Sequence, residues 1–159
     1  MRTAIIYASK HGTTAKVAHK IQQGLGEENA QLFNLKKDKH FDLTQFDQII
    51  IGGSIRAGQI QKRVKDFCEK QTPVLLQKRL GLFLCCMYES EAENQFDNVY
   101  PERLRSHAIS KGLMGGEFLF EKMNFVEKTL VKRIAGVDET VSKINYEHIN
   151  RFIGEMQTD

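Results

Sequence analysis

TAIIYASKHGTTAKVAHKIQQG, residues 3–24, opens on an unbroken apolar run, Ala4-Ile5-Ile6-Tyr7-Ala8. The run is too short for a helix and rich in β-formers, which fits a central strand buried on both faces of a parallel sheet. Ser9-Lys10-His11-Gly12-Thr13-Thr14 follows, small and hydroxylated, and helical spacing begins at once with Val17, Ile21 and Leu25 on one face. A strand, a Gly/Ser/Thr turn and a helix start make an anion site. The N–H groups of a first helical turn are unpaired, and the helix dipole favours negative charge there. Two uses of the hydroxyls are open: Ser9, Thr13 and Thr14 donate to a bound phosphate, or they cap the helix. Three hydroxyls around one glycine exceed what a cap needs. The turn has neither the Lys-Ser/Thr ending of a nucleoside-triphosphate loop nor the G-x-G-x-x-G of dinucleotide sites. A single phosphate monoester, and hence a mononucleotide, is the expected ligand.

Ser9-x-x-Gly12-x-Thr14 resembles the phosphate loop of the flavodoxin family, with His11 where the commonest form has Thr. The resemblance implies a flavodoxin-like fold: a doubly wound parallel α/β sheet, strand order 2-1-3-4-5, with helices on both faces. It also implies FMN as cofactor, with Ser9, Lys10, His11, Gly12, Thr13 and Thr14 around its phosphate. Composition agrees with one domain over residues 1–159. Apolar residues make up 41% and charged residues 27%, which excludes a disordered chain. No apolar run approaches the about 20 residues of a membrane helix, and no signal peptide opens the chain, so a cytoplasmic location is expected. Three cysteines without metal-ligand spacing fit a reducing compartment, and no metal site is expected. The net charge of +3 sets this chain apart from flavodoxins as a family, which are strongly acidic and dock on basic partners. No nucleic-acid partner is expected.

Beyond the first helix, which Gly24-Leu25-Gly26 ends, Ala30–Leu35 reads as an edge strand. Lys36–Gln45 is a charged connection with Phe41 and Phe46 tucked in. Asp47–Gly53 is a second buried strand, followed by a helix to about Lys70 with Ile60, Val64, Phe67 and Cys68 inward. Pro73 begins a short segment, and Leu80–Cys86 is a third buried strand. Pro101 starts a helix carrying Leu104, Ala108 and Ile109 to Gly112, and Leu113–Phe120 reads as a fourth buried strand. Met123, Val126, Leu130, Val131 and Ile134 follow at helical spacing, and the last helix buries Ile149, Phe152, Ile153 and Met156. Strands alternating with helices predict a parallel sheet with right-handed crossovers. The loops after Ala8 and Gly53 then meet at the switch point.

The second loop, Ser54-Ile55-Arg56-Ala57-Gly58-Gln59, stands where the flavodoxin fold places a loop against the isoalloxazine ring. Gly58 would let a peptide turn its N–H or C=O toward the ring, and Arg56 would lie near the ring or its pyrimidine edge. The third loop is Cys86-Met87-Tyr88, where Tyr88 either stacks on the flavin or stands as a partly exposed loop tyrosine. Glu89, Glu91 and Glu93 read as a solvated helix start. Cys85 and Cys86 are neighbours on a strand, so their side chains face opposite sides and form no dithiol. Ser9, His11 and Asp42 have no triad spacing. A phosphoaspartate receiver would need an acidic pair where Ala8-Ser9 stand. No catalytic residue is assigned, and the chemistry belongs to the flavin.

Ile51-Gly52-Gly53-Ser54-Ile55-Arg56, Gly115-Gly116 and the segment from Met123 to Gly136 resemble the flavodoxin-type, menaquinone-dependent protoporphyrinogen IX oxidases, a likeness over nearly the whole chain. It implies an FMN oxidoreductase of heme biosynthesis that takes electrons from protoporphyrinogen and passes them to a quinone. Residues 121–143 occupy the position of that family's extra segment. The alternative is a flavodoxin-type electron carrier with no small-molecule substrate of its own; a module whose flavin is structural or sensing is a third reading. Residues 121–135 set an apolar stripe beside Lys122, Lys128, Lys132 and Arg133. Such a stripe either packs on the chain's own sheet or lies on an anionic bilayer, peripheral to the inner face of the membrane.

Overall fold

Residues 1–56 and 59–159 are described by the structure, a computed structural model, with the side chains of Arg56 and Gln59 excepted. The chain runs β1 (Thr3–Tyr7), α1 (Thr13–Leu25), β2 (Ala30–Asn34), β3 (Gln48–Arg56), β4 (Gln59–Ile60), α2 (Lys62–Leu75) and β5 (Arg79–Cys85). It continues through α3 (Ala92–Val99), α4 (Glu102–His107), β6 (Ser110–Leu113), β7 (Glu117–Phe118), α5 (Phe125–Ala135), β8 (Val141–Ser142) and α6 (Tyr146–Gln157).

Alternation within the strands sorts the core into two layers. Ala4 and Ile6 of β1 pack with Ile49, Ile51, Leu80, Leu82 and Leu84 under α2, α3 and α4. Ile5 and Tyr7 pack with Ile50, Phe83 and Cys85 under α1 and α6. Both faces of the central strands are therefore buried, which is why they read as continuous apolar runs rather than alternating ones. The parallel sheet has the order β2-β1-β3-β5-β6. This is the doubly wound 2-1-3-4-5 order expected of a flavodoxin-like fold. β1 lies between β2 and β3, with Tyr7 opposite Asn34 on one side and Gly52 on the other. Consecutive chain segments leave β1 toward opposite edges, so a crevice opens at the carboxyl ends of β1 and β3. Cys85 and Cys86 fall in opposite layers, as strand geometry requires.

Several boundaries differ from the sequence-based expectation. The strand expected at Leu113–Phe120 is Ser110–Leu113 instead, and the helix before it stops at His107 rather than running to Gly112. Ser110 and Lys111 are polar, but Ser110 is buried and donates to Glu155 Oε2 at 2.6 Å. An edge strand needs no apolar run. α2 continues past Lys70 to Leu75 with Pro73 inside its last turn. Fully buried Leu75 draws that turn onto the core, which offsets the backbone bond proline removes. Ser54–Arg56 is not loop but the end of β3, turned back as an antiparallel hairpin onto β4, with Ile55 opposite Ile60. Ile60, expected on a helix, therefore lies on a strand. Met123 precedes α5 rather than lying on it, and α5 has no buried residue.

Candidate functional site

The crevice holds a cavity of about 550 Å³ that gathers residues from six parts of the chain. Its floor is the turn between β1 and α1. Gly12 caps α1 with φ 101°, a left-handed conformation that glycine adopts without strain. No side chain caps the helix. Ser9 Oγ accepts from Gly12 N at 3.0 Å, tightening the turn. Thr13 Oγ1 donates away from the helix, to Glu117 Oε1 at 3.2 Å. The three hydroxyls are therefore not the helix's cap.

Thr14 is the informative residue. It is buried, and its Oγ1 has no hydrogen-bond partner among the described residues. The nearby Cys85 thiol, pushed up to about 12 by burial despite its contact with Thr14, offers only a weakly accepting sulfur. A hydroxyl buried without a partner costs about 1–3 kcal/mol. It lines the cavity beside an uncapped helix start, where a donor can serve an anion.

The walls come from the other strand ends. Ser54 and Ile55 reach the cavity from β3. Ser54 is fixed at both ends by Gln61: its N–H donates to Gln61 Oε1 at 3.0 Å, and its Oγ accepts from Gln61 Nε2 at 2.7 Å. Cys86, Met87 and Tyr88 form the facing wall. The Cys86 thiol donates to Tyr88 O at 3.6 Å. The half-exposed Tyr88 ring stands edge-on to Phe118, centroids 6.4 Å apart. Of the residues singled out from sequence, Ser9, Lys10, His11, Thr13, Thr14, Ser54, Ile55, Cys86, Met87 and Tyr88 line this one cavity. Arg56 and Gln59 contribute their backbones to the β3–β4 hairpin. Ala57 and Gly58, with the ring-facing peptide expected there, lie outside the described residues.

Two carboxylates not anticipated from sequence complete the site. Glu117 is 4% exposed and pairs with Lys16 Nζ at 3.0 Å. Burial opposes its ionisation, but hydrogen bonds from Ser142 and Lys16, the Lys16 charge and the Thr13 hydroxyl outweigh that and hold its carboxyl below the usual range. Glu127 spans Lys10 Nζ and His11 Nε2, each at 2.7 Å. Burial again pushes upward, and the bonds and charges of Lys10 and His11 win, holding this carboxyl at about 2. The contribution of that pair to stability is thus complete above the ordinary carboxylate range and is lost as pH falls through about 2. A Cβ built on Gly12 would lie 3.6 Å from Lys122 Nζ, so a further cation stands over the turn. These partners sit more than 100 residues from the turn in sequence, and no local pattern announces them. Among the described residues, no group of His, Cys, Asp and Glu is placed to hold a metal ion.

A family model of the flavodoxin domain matches residues 4–144. The chain belongs to the flavodoxin domain family. It is 28% identical over 155 residues to Flavodoxin 1 of Azotobacter vinelandii, a match covering 80% of this chain and 88% of that flavodoxin. Its fold is similar to that of a Fusobacterium nucleatum flavodoxin bound to flavin mononucleotide, with TM-score 0.55, 14% identity, and 99% and 98% of the two chains covered. It is also similar to part of the rubredoxin oxygen:oxidoreductase of the anaerobe Desulfovibrio gigas, with TM-score 0.58 and 15% identity. That match covers 99% of this chain and 37% of the longer one. In both structures the likeness is one of fold.

Proposed function

We propose that this flavodoxin-family chain binds FMN and works as an electron-transfer protein. The observation that carries the reading is the partnerless Thr14 hydroxyl at the uncapped start of α1, on the floor of a cavity of ligand size. Ser9, Lys10, His11, Gly12, Thr13 and Thr14 would hold the phosphate. Ser54, Ile55 and the Cys86–Tyr88 wall would flank the ring, with Tyr88 offering an aromatic face. When bound, FMN supplies one- and two-electron chemistry; the chain positions it and limits access of water. The purified protein should be yellow and release FMN, not FAD, on denaturation. Recovery of FAD, or a spectrum and melting temperature indifferent to added FMN, would overturn the reading.

A second reading is an FMN oxidoreductase with a substrate of its own, of the menaquinone-dependent protoporphyrinogen oxidase type, with a quinone as acceptor. One observation favours it: α5 adds Leu130, Val131 and Ile134 to the cavity lining, an apolar wall that a carrier without substrate does not need. Steady-state turnover of protoporphyrinogen IX with a menaquinone analogue separates the two, since a carrier shows none.

The same helix bears on partners. Phe125, Val126 and Ile134 are 83%, 72% and 66% exposed, and Lys128 and Lys132 lie over the Phe120 ring close by. Among the described residues no helix is long and apolar enough to cross a membrane, but an apolar ridge with basic flanks suits the surface of an anionic bilayer. Each lysine near that surface contributes about 1 kcal/mol. Lys128→Glu with Lys132→Glu should therefore abolish salt-sensitive co-sedimentation with anionic vesicles. Sedimentation unchanged by the charge reversals, or absent in the wild type at low salt, would remove the bilayer as a partner.

A further inference from the structure

Glu127 lies in the first turn of α5, where Asn124 Oδ1 caps the helix by accepting from Glu127 N at 2.9 Å. From there its carboxylate crosses to the turn after β1 and takes both Lys10 and His11, one on each oxygen. Those two residues sit in the turn where a phosphate monoester would enter. We propose that Glu127 is a phosphate-competing latch: it ties α5 to the turn in the flavin-free chain and yields Lys10 and His11 to an entering phosphate.

The inference rests on the FMN reading and deepens it. Two anions already face the turn, Glu117 and Glu127, against Lys10, Lys16, Lys122 and, when protonated, His11. A phosphate dianion would add two negative charges to the same small space, and the same ammonium and imidazole groups can serve either acid. An entering phosphate therefore competes with a carboxylate for these cations. The Glu117 side chain is nearly inaccessible and is held by Thr13, Lys16 and Ser142. Glu127 is the more accessible at 18%, and its Lys10 partner is half exposed. It also belongs to a helix with no buried residue, so its release leaves the core intact. Riboflavin, which lacks the phosphate, could not displace it.

The latch can be tested on the full chain freed of flavin. Amide exchange over residues 125–135 should be slow in the wild type, faster with inorganic phosphate, and already fast and phosphate-insensitive in Glu127→Gln. The same variant should bind FMN about tenfold more tightly, the size expected for removing one like charge from a partly exposed site, with riboflavin affinity unchanged. Glu121→Gln, in the same segment but not at the turn, should behave as wild type, whereas Glu127→Gln, which loses the pairs with Lys10 and His11, should melt somewhat earlier. Equal α5 exchange in wild type and Glu127→Gln, weaker FMN binding by the variant, or an equal gain for riboflavin would each overturn the latch. If the wild type bound neither flavin, the cofactor reading would fall. The exchange response to inorganic phosphate would still decide the latch.

Discussion

Gly115→Ala should destabilise the chain by about 2–5 kcal/mol, counting about 1–2 kcal/mol for a left-handed backbone without glycine and about 1–3 kcal/mol for forced overpacking. Gly115 has φ 73°, and a Cβ there would run into the backbone carbonyl oxygen of Lys143, which has no flexible end to give way. The residue also stitches the site together. Its carbonyl accepts from Cys86 N at 2.9 Å, and the flanking carbonyls of Met114 and Gly116 accept from Asn145 N and Lys143 N at 2.9 and 2.8 Å. Any shift that relieves the clash moves the Cys86–Tyr88 wall. Gly136→Ala is the matched control, since Gly136 has φ 66° but nothing within 4 Å of an added Cβ. It should cost only the conformational share, about 1–2 kcal/mol. Urea denaturation of both variants separates the two contributions. Equal losses would mean that the contact with Lys143 carries no weight.

Thr14→Val should move stability and FMN affinity in opposite directions. Valine has nearly the shape of threonine and lacks the buried hydroxyl that has no partner. Removing that hydroxyl should leave the flavin-free protein as stable as wild type or more so, by up to about 1–2 kcal/mol. FMN binding should weaken by about 1–3 kcal/mol, roughly 5-fold to 150-fold, through loss of one donor to a charged acceptor. Adding Ser9→Ala should weaken binding further, although Ser9 Oγ also accepts from Gly12 N, so this variant loses stability as well. Fluorescence titration with FMN and thermal melts of the flavin-free protein read the two effects separately. A Thr14→Val protein that melts earlier and binds FMN normally would show the hydroxyl to be structural.

The parts of the fold that could be read in advance are those whose physics is local. β1 and the turn after it announce themselves because burial on both faces demands a continuous apolar run, and an anion site demands small residues just before a helix. β6 was misplaced because it lies at the sheet's edge, where Ser110 and Lys111 serve as well as valines would. α2 overran its expected end because a buried Leu75, invisible to propensity, outweighs Pro73. The hairpin at Ser54–Arg56 depends on Ile55 meeting Ile60 and on Gln61 gripping Ser54, pairings that no spacing rule encodes. The carboxylates of Glu117 and Glu127 were illegible for the same reason. A glutamate in a charged helix looks solvated until the fold brings Lys10 and His11 to it.

The two-stranded pair β7–β8 has a meaning for the engineering of the chain. Glu117 is opposite Ser142 and Phe118 opposite Val141, and Phe120 N donates to Thr140 Oγ1 at 3.1 Å. The excursion carrying α5 therefore leaves and returns at neighbouring points, outside the parallel sheet. The entropy of closing such a loop changes only slowly with its length. A segment joined in this way can be lengthened or shortened while the strands beneath keep their register. It is a cassette, and a scaffold of this kind can carry a new surface above its crevice without refolding.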